Sequence, residues 1–191
     1  MKMNKYVENT DLSLLEQFVK EHGVIKSFAK KEIFLGQGCK SVYMGFVATG
    51  TFRYIRTDKK GNEHIIAFAF QNEYIAEYAA YLSQTSSLVT IQAVVDSVIY
   101  MLPLDIMYAY WETSMETQRL GRVAAEQLYV QFYERVISLH SDTPEERYLN
   151  LIKQHPDILN ILSLKDIASY LSVTPETVSH IRKKILTSPK S

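Results

Sequence analysis

The residues with the most chemical content form one run, Leu164-Lys165-Asp166-Ile167-Ala168-Ser169-Tyr170-Leu171-Ser172-Val173-Thr174-Pro175-Glu176-Thr177-Val178-Ser179-His180-Ile181-Arg182-Lys183-Lys184-Ile185. Ile167, Leu171, Val173, Val178 and Ile181 recur at the spacing that packs two short helices at a steep angle, with Ala168 small enough to let them touch. A helix-turn-helix of this kind offers the start of its second helix to the major groove of DNA. Glu176 suits a cytosine amino group. Thr174, Thr177, Ser179 and His180 suit base edges or phosphates, and Arg182, Lys183 and Lys184 suit the phosphate backbone. Ser172 stands where many such turns carry glycine. From Leu164 onward, Lys165, Arg182, Lys183, Lys184 and Lys190 outnumber Asp166 and Glu176, inside a chain that balances 21 basic against 21 acidic residues. The competing reading is a terminal helical hairpin with solvated charges.

Other chemistries find little in the sequence. The single Cys39 excludes an internal disulfide and any cluster or zinc site built on several cysteines, which points to a cytoplasmic protein. The five histidines, at 22, 64, 140, 155 and 180, do not form a metal-binding spacing, so no metal is expected. His64 and Cys39 leave haem ligation formally open, although a lone strand histidine is more often structural, and no cofactor is expected. Neither a nucleophile triad nor a phosphate-cradling glycine loop is present, so the chain reads as a non-enzyme. The 191 residues, 47% of them hydrophobic and 22% charged, suit a globular chain with no signal peptide and no membrane span.

The elements that would position the helical reader are legible from periodicity. Residues 11–22 read as a short helix capped by Asp11 and ended by Gly23. Between about 31 and 102 come short β-branched and aromatic runs: Glu32–Leu35, Ser41–Val47, Thr51–Arg56, His64–Phe70, Leu88–Val94 and Val98–Leu102. Asp58-Lys59-Lys60-Gly61-Asn62 is a hairpin signal between two of them. Such a series predicts an antiparallel sandwich or jelly roll. Further on, Gly121, Ala125, Leu128, Phe132, Val136 and Leu139 form one helical stripe over roughly 25 residues, adjoined by Leu120, Val123, Ala124 and Ile137. So wide an apolar surface favours a homodimer helix, with Gly121 and Ala125 admitting a partner closely; packing within one subunit is the alternative. Thr143-Pro144-Glu145-Glu146 then opens the helical C-terminal part.

This order of parts resembles the cyclic-AMP receptor and fumarate–nitrate regulator (Crp/Fnr) family of bacterial transcription factors. Thr174 to Lys183 and Ser141 to Tyr148 are especially similar to short members from Bacteroidetes-like bacteria. The resemblance implies an α+β fold: an N-terminal helix and antiparallel β-roll over 1–113, of the cyclic-nucleotide-binding type, a long dimerisation helix over 114–140 and a helix-turn-helix domain over 141–191. It further implies a homodimer reading a palindromic operator in double-stranded DNA, and leaves room for a small-molecule effector and for contact with RNA polymerase. The rival function is a ligand-sensing or interaction module of the same fold that has lost DNA binding. The family surrounds its reader with a β-wing that includes strands after the recognition helix, and with Thr187-Ser188-Pro189-Lys190-Ser191 following that helix here, the C-terminal part of the wing is not expected. Pro175 and His180 replace expected arginines, so the family's operator is not transferred.

The cup of the roll departs from its relatives. Tyr74-Ile75-Ala76-Glu77-Tyr78-Ala79-Ala80-Tyr81 resembles the start of the family's phosphate cassette, with Glu77 at the ribose-binding glutamate, but ungapped alignment puts Ser87-Leu88 where Arg-Ser or Arg-Thr should clamp the phosphate. Arg53 and Arg56 are read as solvent-facing. Without a bidentate arginine a buried anion is poorly compensated, so the usual mode of cyclic-AMP binding is not expected. Glu77, Tyr78, Tyr81, Ser86 and Ser87 are the candidate effector-cup residues, for a neutral or aromatic ligand or simply to fill the cup.

Overall fold

In a computed structural model, residues 12–187 are described. Helix α1 (Ser13–His22) leads into strands β1 (Val24–Phe28), β2 (Ile33–Leu35), β3 (Tyr43–Thr49), β4 (Phe52–Thr57), β5 (Glu63–Ala69) and β6 (Tyr74–Ile75). Helix α2 (Tyr78–Ser83), β7 (Thr90–Ala93), β8 (Ser97–Pro103) and helix α3 (Leu104–Trp111) complete the roll. Its strands form two antiparallel sheets, ordered β1-β8-β3-β6 and β2-β7-β4-β5. The cap expected of Asp11 lies outside the described residues, and Leu12, at the N-cap, makes no side-chain cap. The hairpin at Asp58 forms, with Gly61 at φ +83° and the Asp58 carboxylate accepting from the Lys60 and Asn62 amides.

Period-2 alternation sorts the strands into three packing layers. Phe28, Val47, Phe52, Ile75, Ile91 and Ile99 meet between the sheets, where each fully buried side chain contributes roughly 1.5–3 kcal/mol. On the outer side of the first sheet, Met44, Phe46 and Leu102 receive Leu15 and Val19 of α1 and Leu104 and Met107 of α3. On the outer side of the second sheet, Phe68, Phe70 and Val94 pack against the C-terminal helices. Strand β1 carried no clear sequence signal because its Val24, Ile25, Lys26 and Ser27 are all exposed.

Helix α4 (Met115–Ser141) is 27 residues long and starts with a reciprocal cap between Ser114 and Thr117. Helices α5 (Pro144–Gln154), α6 (Ile158–Ile161), α7 (Leu164–Tyr170) and α8 (Pro175–Thr187) follow. Thr143 and Glu146 form the predicted capping box of α5. Among the described residues no helix is long and apolar enough to cross a membrane.

Candidate nucleic-acid interface

Helices α7 and α8 close on Ile167, Ala168, Leu171, Val178 and Ile181, all buried, with Tyr148, Leu151, Ile158 and Leu162 beneath them. Ser163 caps α7 through the Asp166 amide, and Thr174 caps α8 through the Thr177 amide at 3.3 Å. The turn depends on Ser172, which adopts φ +56°, while the Ser172 and Val173 amides donate to Ser169 and Ala168 carbonyls. A left-handed residue closing a helix is normally glycine, and the serine here keeps the geometry at a cost in backbone energy.

With Val178 and Ile181 turned inward, the 3.6-residue period brings Glu176, Ser179, His180 and Lys183 onto one outward face, all exposed. Thr177 is half-buried, and its hydroxyl lies 3.1 Å from that of Thr174. The Glu176 carboxyl is held below its ordinary range by its own backbone amide and the Thr174 hydroxyl, so it is a standing acceptor at the helix start. Arg182 is exposed on the flank, and Lys184 reaches Glu145 of α5 at 2.6 Å, bracing α8 against the domain. The exposed face thus combines one anionic acceptor, hydroxyl and imidazole groups, and cations: the chemical set for base edges flanked by phosphates.

The helix-turn-helix is docked on the roll. Arg53 donates to Asp166 of α7 at 2.5 Å and to Gln92 at 3.1 and 2.7 Å. The Ile65 amide on edge strand β5 donates to Ser169 Oγ at 2.9 Å. Phe68 packs on Tyr170 and Phe70 stacks on His155. Arg135 of α4 lies 3.9 Å above the Tyr170 ring and donates to the Tyr170 carbonyl. Arg147 ties the Asp142 and Leu171 carbonyls together. None of these long-range partners was legible in the sequence, although Arg53, Gln92 and Phe68 share one outward strand face.

On α4 the stripe divides. Gly121 is buried, and a β-carbon there would stand 2.8 Å from the Trp111 ring of the same chain, so the close approach it permits is internal. Ala125 is half-buried. Leu128, Phe132, Val136 and Leu139 are exposed, together with Tyr129, Tyr133 and Ile137.

Several polar groups of the candidate cup are bonded within the chain, whereas the buried Ser41 hydroxyl of the roll has no partner among the described residues. Glu77 caps α2, accepting from the Ala80 amide at 2.5 Å. The Tyr54 hydroxyl, pushed upward in pKa by burial, accepts from the Ala76 amide at 3.3 Å. Ser87 is buried and donates to the Val89 carbonyl at 2.6 Å, whereas Ser86 is exposed. Tyr78 and Tyr81 turn instead toward Tyr108 of α3, by a 3.2 Å hydroxyl contact and a ring contact. Reading both strand arginines as solvent-facing was an error of parity, since residues three apart on a strand lie on opposite faces. Arg53 faces out to Asp166, but Arg56 shares the face of Phe52 and Tyr54 and donates to the Leu88 carbonyl at 2.7 Å. Tyr54, which fills the cup beside the cassette, was missed; its signal was that same alternation. Elsewhere, His64 lies 3.2 Å from Asp58, and no group of three or more His, Cys, Asp or Glu among the described residues could hold a metal ion.

Comparison with known proteins agrees with this architecture. Residues 25–114 match the family model of the cyclic nucleotide-binding domain. No curated protein matches the chain significantly in sequence. Among solved structures, FixK2 from Bradyrhizobium japonicum is similar at TM-score 0.74 and 21% identity, over 86% of this chain and 85% of its own. The c-di-GMP-responsive global regulator CLP of Xanthomonas campestris is similar at TM-score 0.68 and 12% identity, over 95% and 96%. A transcriptional regulator of the Crp/Fnr family from Eubacterium rectale is similar at 0.66 and 13%, over 96% and 88%. The chain therefore carries a cyclic nucleotide-binding-type roll over residues 25–114 and, across most of its length, the fold of solved regulators that include a Crp/Fnr-family member.

Proposed function

We propose that this chain is a Crp/Fnr-type transcription regulator, of the short kind resembling Bacteroidetes members, that binds a twofold-symmetric site in double-stranded DNA as a homodimer. The observation that carries this reading is the exposed α8 face, with Glu176, Ser179, His180 and Lys183 aligned over a fully packed helix-turn-helix core. Glu176 is the base reader, Thr174 and Thr177 set the helix start, and Arg182 and Lys183 supply phosphate contacts. Lys184 joins them by exchanging its Glu145 partner for a phosphate.

The dimer reading rests on the exposed run of Leu128, Phe132, Val136 and Leu139 on α4, beside the exposed Tyr129, Tyr133 and Ile137 of the same helix, since a concentration of exposed apolar side chains marks an interaction surface. Two such helices side by side would set the spacing of the two readers. Two observations support the view that cyclic AMP is not held in the family's usual way: Glu77 serves α2, and Ser87 stands where an arginine would clamp the phosphate.

The test compares variants on a duplex enriched from a random pool. Glu176→Ala should relax preference at one symmetric position, by roughly 1–3 kcal/mol of discrimination, whereas Lys183→Ala should weaken all sequences alike and flatten the salt dependence. If neither variant alters binding, α8 is not the reader. A wild-type chain that enriches no duplex supports the rival module without DNA binding.

A further inference from the structure

We infer that the groove between α2 and α3, outside the roll, is a binding site for a linear polyamine. The groove is about 430 Å³ and lies between Tyr81 and Gln84 on one side and Asp105, Tyr108, Ala109 and Glu112 on the other. That volume falls within the range of small-molecule sites. Asp105, Tyr108, Ala109 and Glu112 are spaced by three, four and seven residues, so they form one stripe along α3 and its C-cap.

The charge of this stripe is one-sided. Asp105 and Glu112 are both exposed, and neither carboxylate takes part in a hydrogen bond or ion pair among the described residues. No basic side chain lines the groove. Seven helical residues separate the two carboxylates by about 10 Å along the axis. Between them Ala109 leaves a hollow, and the Tyr108 ring lies 5.0 Å from that of Tyr81, giving an aromatic floor. A single metal ion would reach one carboxylate and leave the rings unused. An extended polyamine instead places an ammonium at each end and lays its methylenes, with their partial positive charge, across the rings.

The groove has no lining residue from α4, on which the apolar run proposed to pair begins at Leu128. An adjoining pocket of about 280 Å³ shares Tyr108 and Glu112 and ends at Arg122, which is paired with Glu126 at 2.5 Å. That cation limits the occupant's length and fixes its positive ends on the Asp105 to Glu112 line.

The experiment is calorimetric titration of the full chain with spermidine, in the absence of DNA. The expected result is saturable binding of one spermidine per chain, weakened about fivefold by each of Asp105→Asn and Glu112→Gln, and further by both together. Tyr81→Ala should also weaken it, whereas butylamine, with one ammonium, should bind at least about fivefold more weakly than spermidine. Circular dichroism should find the exposed carboxylate variants folded as the parent. No saturation, equal binding by the double variant, or equal saturation by magnesium ion would overturn the proposal. Because no DNA is present, these outcomes leave the DNA-binding reading untouched.

Discussion

The docking of the helix-turn-helix on the roll can be tested through the Arg53–Asp166 pair. The groups lie 2.5 Å apart, with side chains 20% and 12% exposed, and join residues 113 positions apart in the chain. At an effective dielectric near 20, unit charges whose centres lie about 4 Å apart attract by about 4 kcal/mol, but removing both from water and ordering them offsets most of this. The retained Gln92 contacts hold the guanidinium in place in advance, leaving a net coupling of about 1–2 kcal/mol. A double-mutant cycle with Arg53→Met and Asp166→Asn isolates that coupling from the loss of the Ser163 hydroxyl contact to Asp166, which the Asp166 single variant also perturbs. Urea unfolding of the four proteins gives the energies. A coupling within about 0.3 kcal/mol of zero would refute the reasoning that this pair holds α7 against β4 and β7.

Three further outcomes follow from particular residues. Ser172→Gly removes a left-handed penalty of about 1–2 kcal/mol and adds a chain-entropy cost of about 0.5–1 kcal/mol, so calorimetry should find the melting temperature raised by roughly 2 °C. Phe132→Glu or Val136→Glu should raise the dimer dissociation constant about 100-fold in sedimentation velocity, as expected for a central apolar contact worth roughly 2–4 kcal/mol. The carboxyls of Glu146 and Glu176 are held below their ordinary value of 4.5, mainly by the Thr143 amide and by the Glu176 amide respectively. Their depressed values contribute stability that is present above 4.5 and lost as pH falls through the folded values, so thermal melts should find a smaller acid loss in Glu146→Gln.

Local periodicity made much of the architecture legible. The four-three-four spacing from Gly121 to Phe132 is a property of consecutive residues, and so are the Thr143 capping box and the Asp58 hairpin. What escaped was long-range or depended on strand parity. Arg53 and Arg56 look alike in sequence, yet one meets Asp166 and the other turns to the Leu88 carbonyl. Gly121 carries the same small-residue signal whether its neighbour is a second helix or, as found, Trp111. Tyr78 and Tyr81 follow a cassette-like stretch, but the α2 helix that Glu77 caps turns them out of the roll toward Tyr108. In α8, by contrast, the residues that pack and the residues that face outward alternate within a single helix, so the exposure of Glu176 was readable before any fold was known.

The central claim is that two copies of this chain read a symmetric DNA sequence through α8. Selection of duplexes from a random pool by the purified chain, with sequencing of the bound fraction, tests it most directly. The account predicts enrichment of an inverted repeat with half-sites centred about 10 base pairs apart, bound by two chains and weakened steeply by salt. Enrichment of no sequence, or of a single unrepeated half-site bound by one chain, would contradict it.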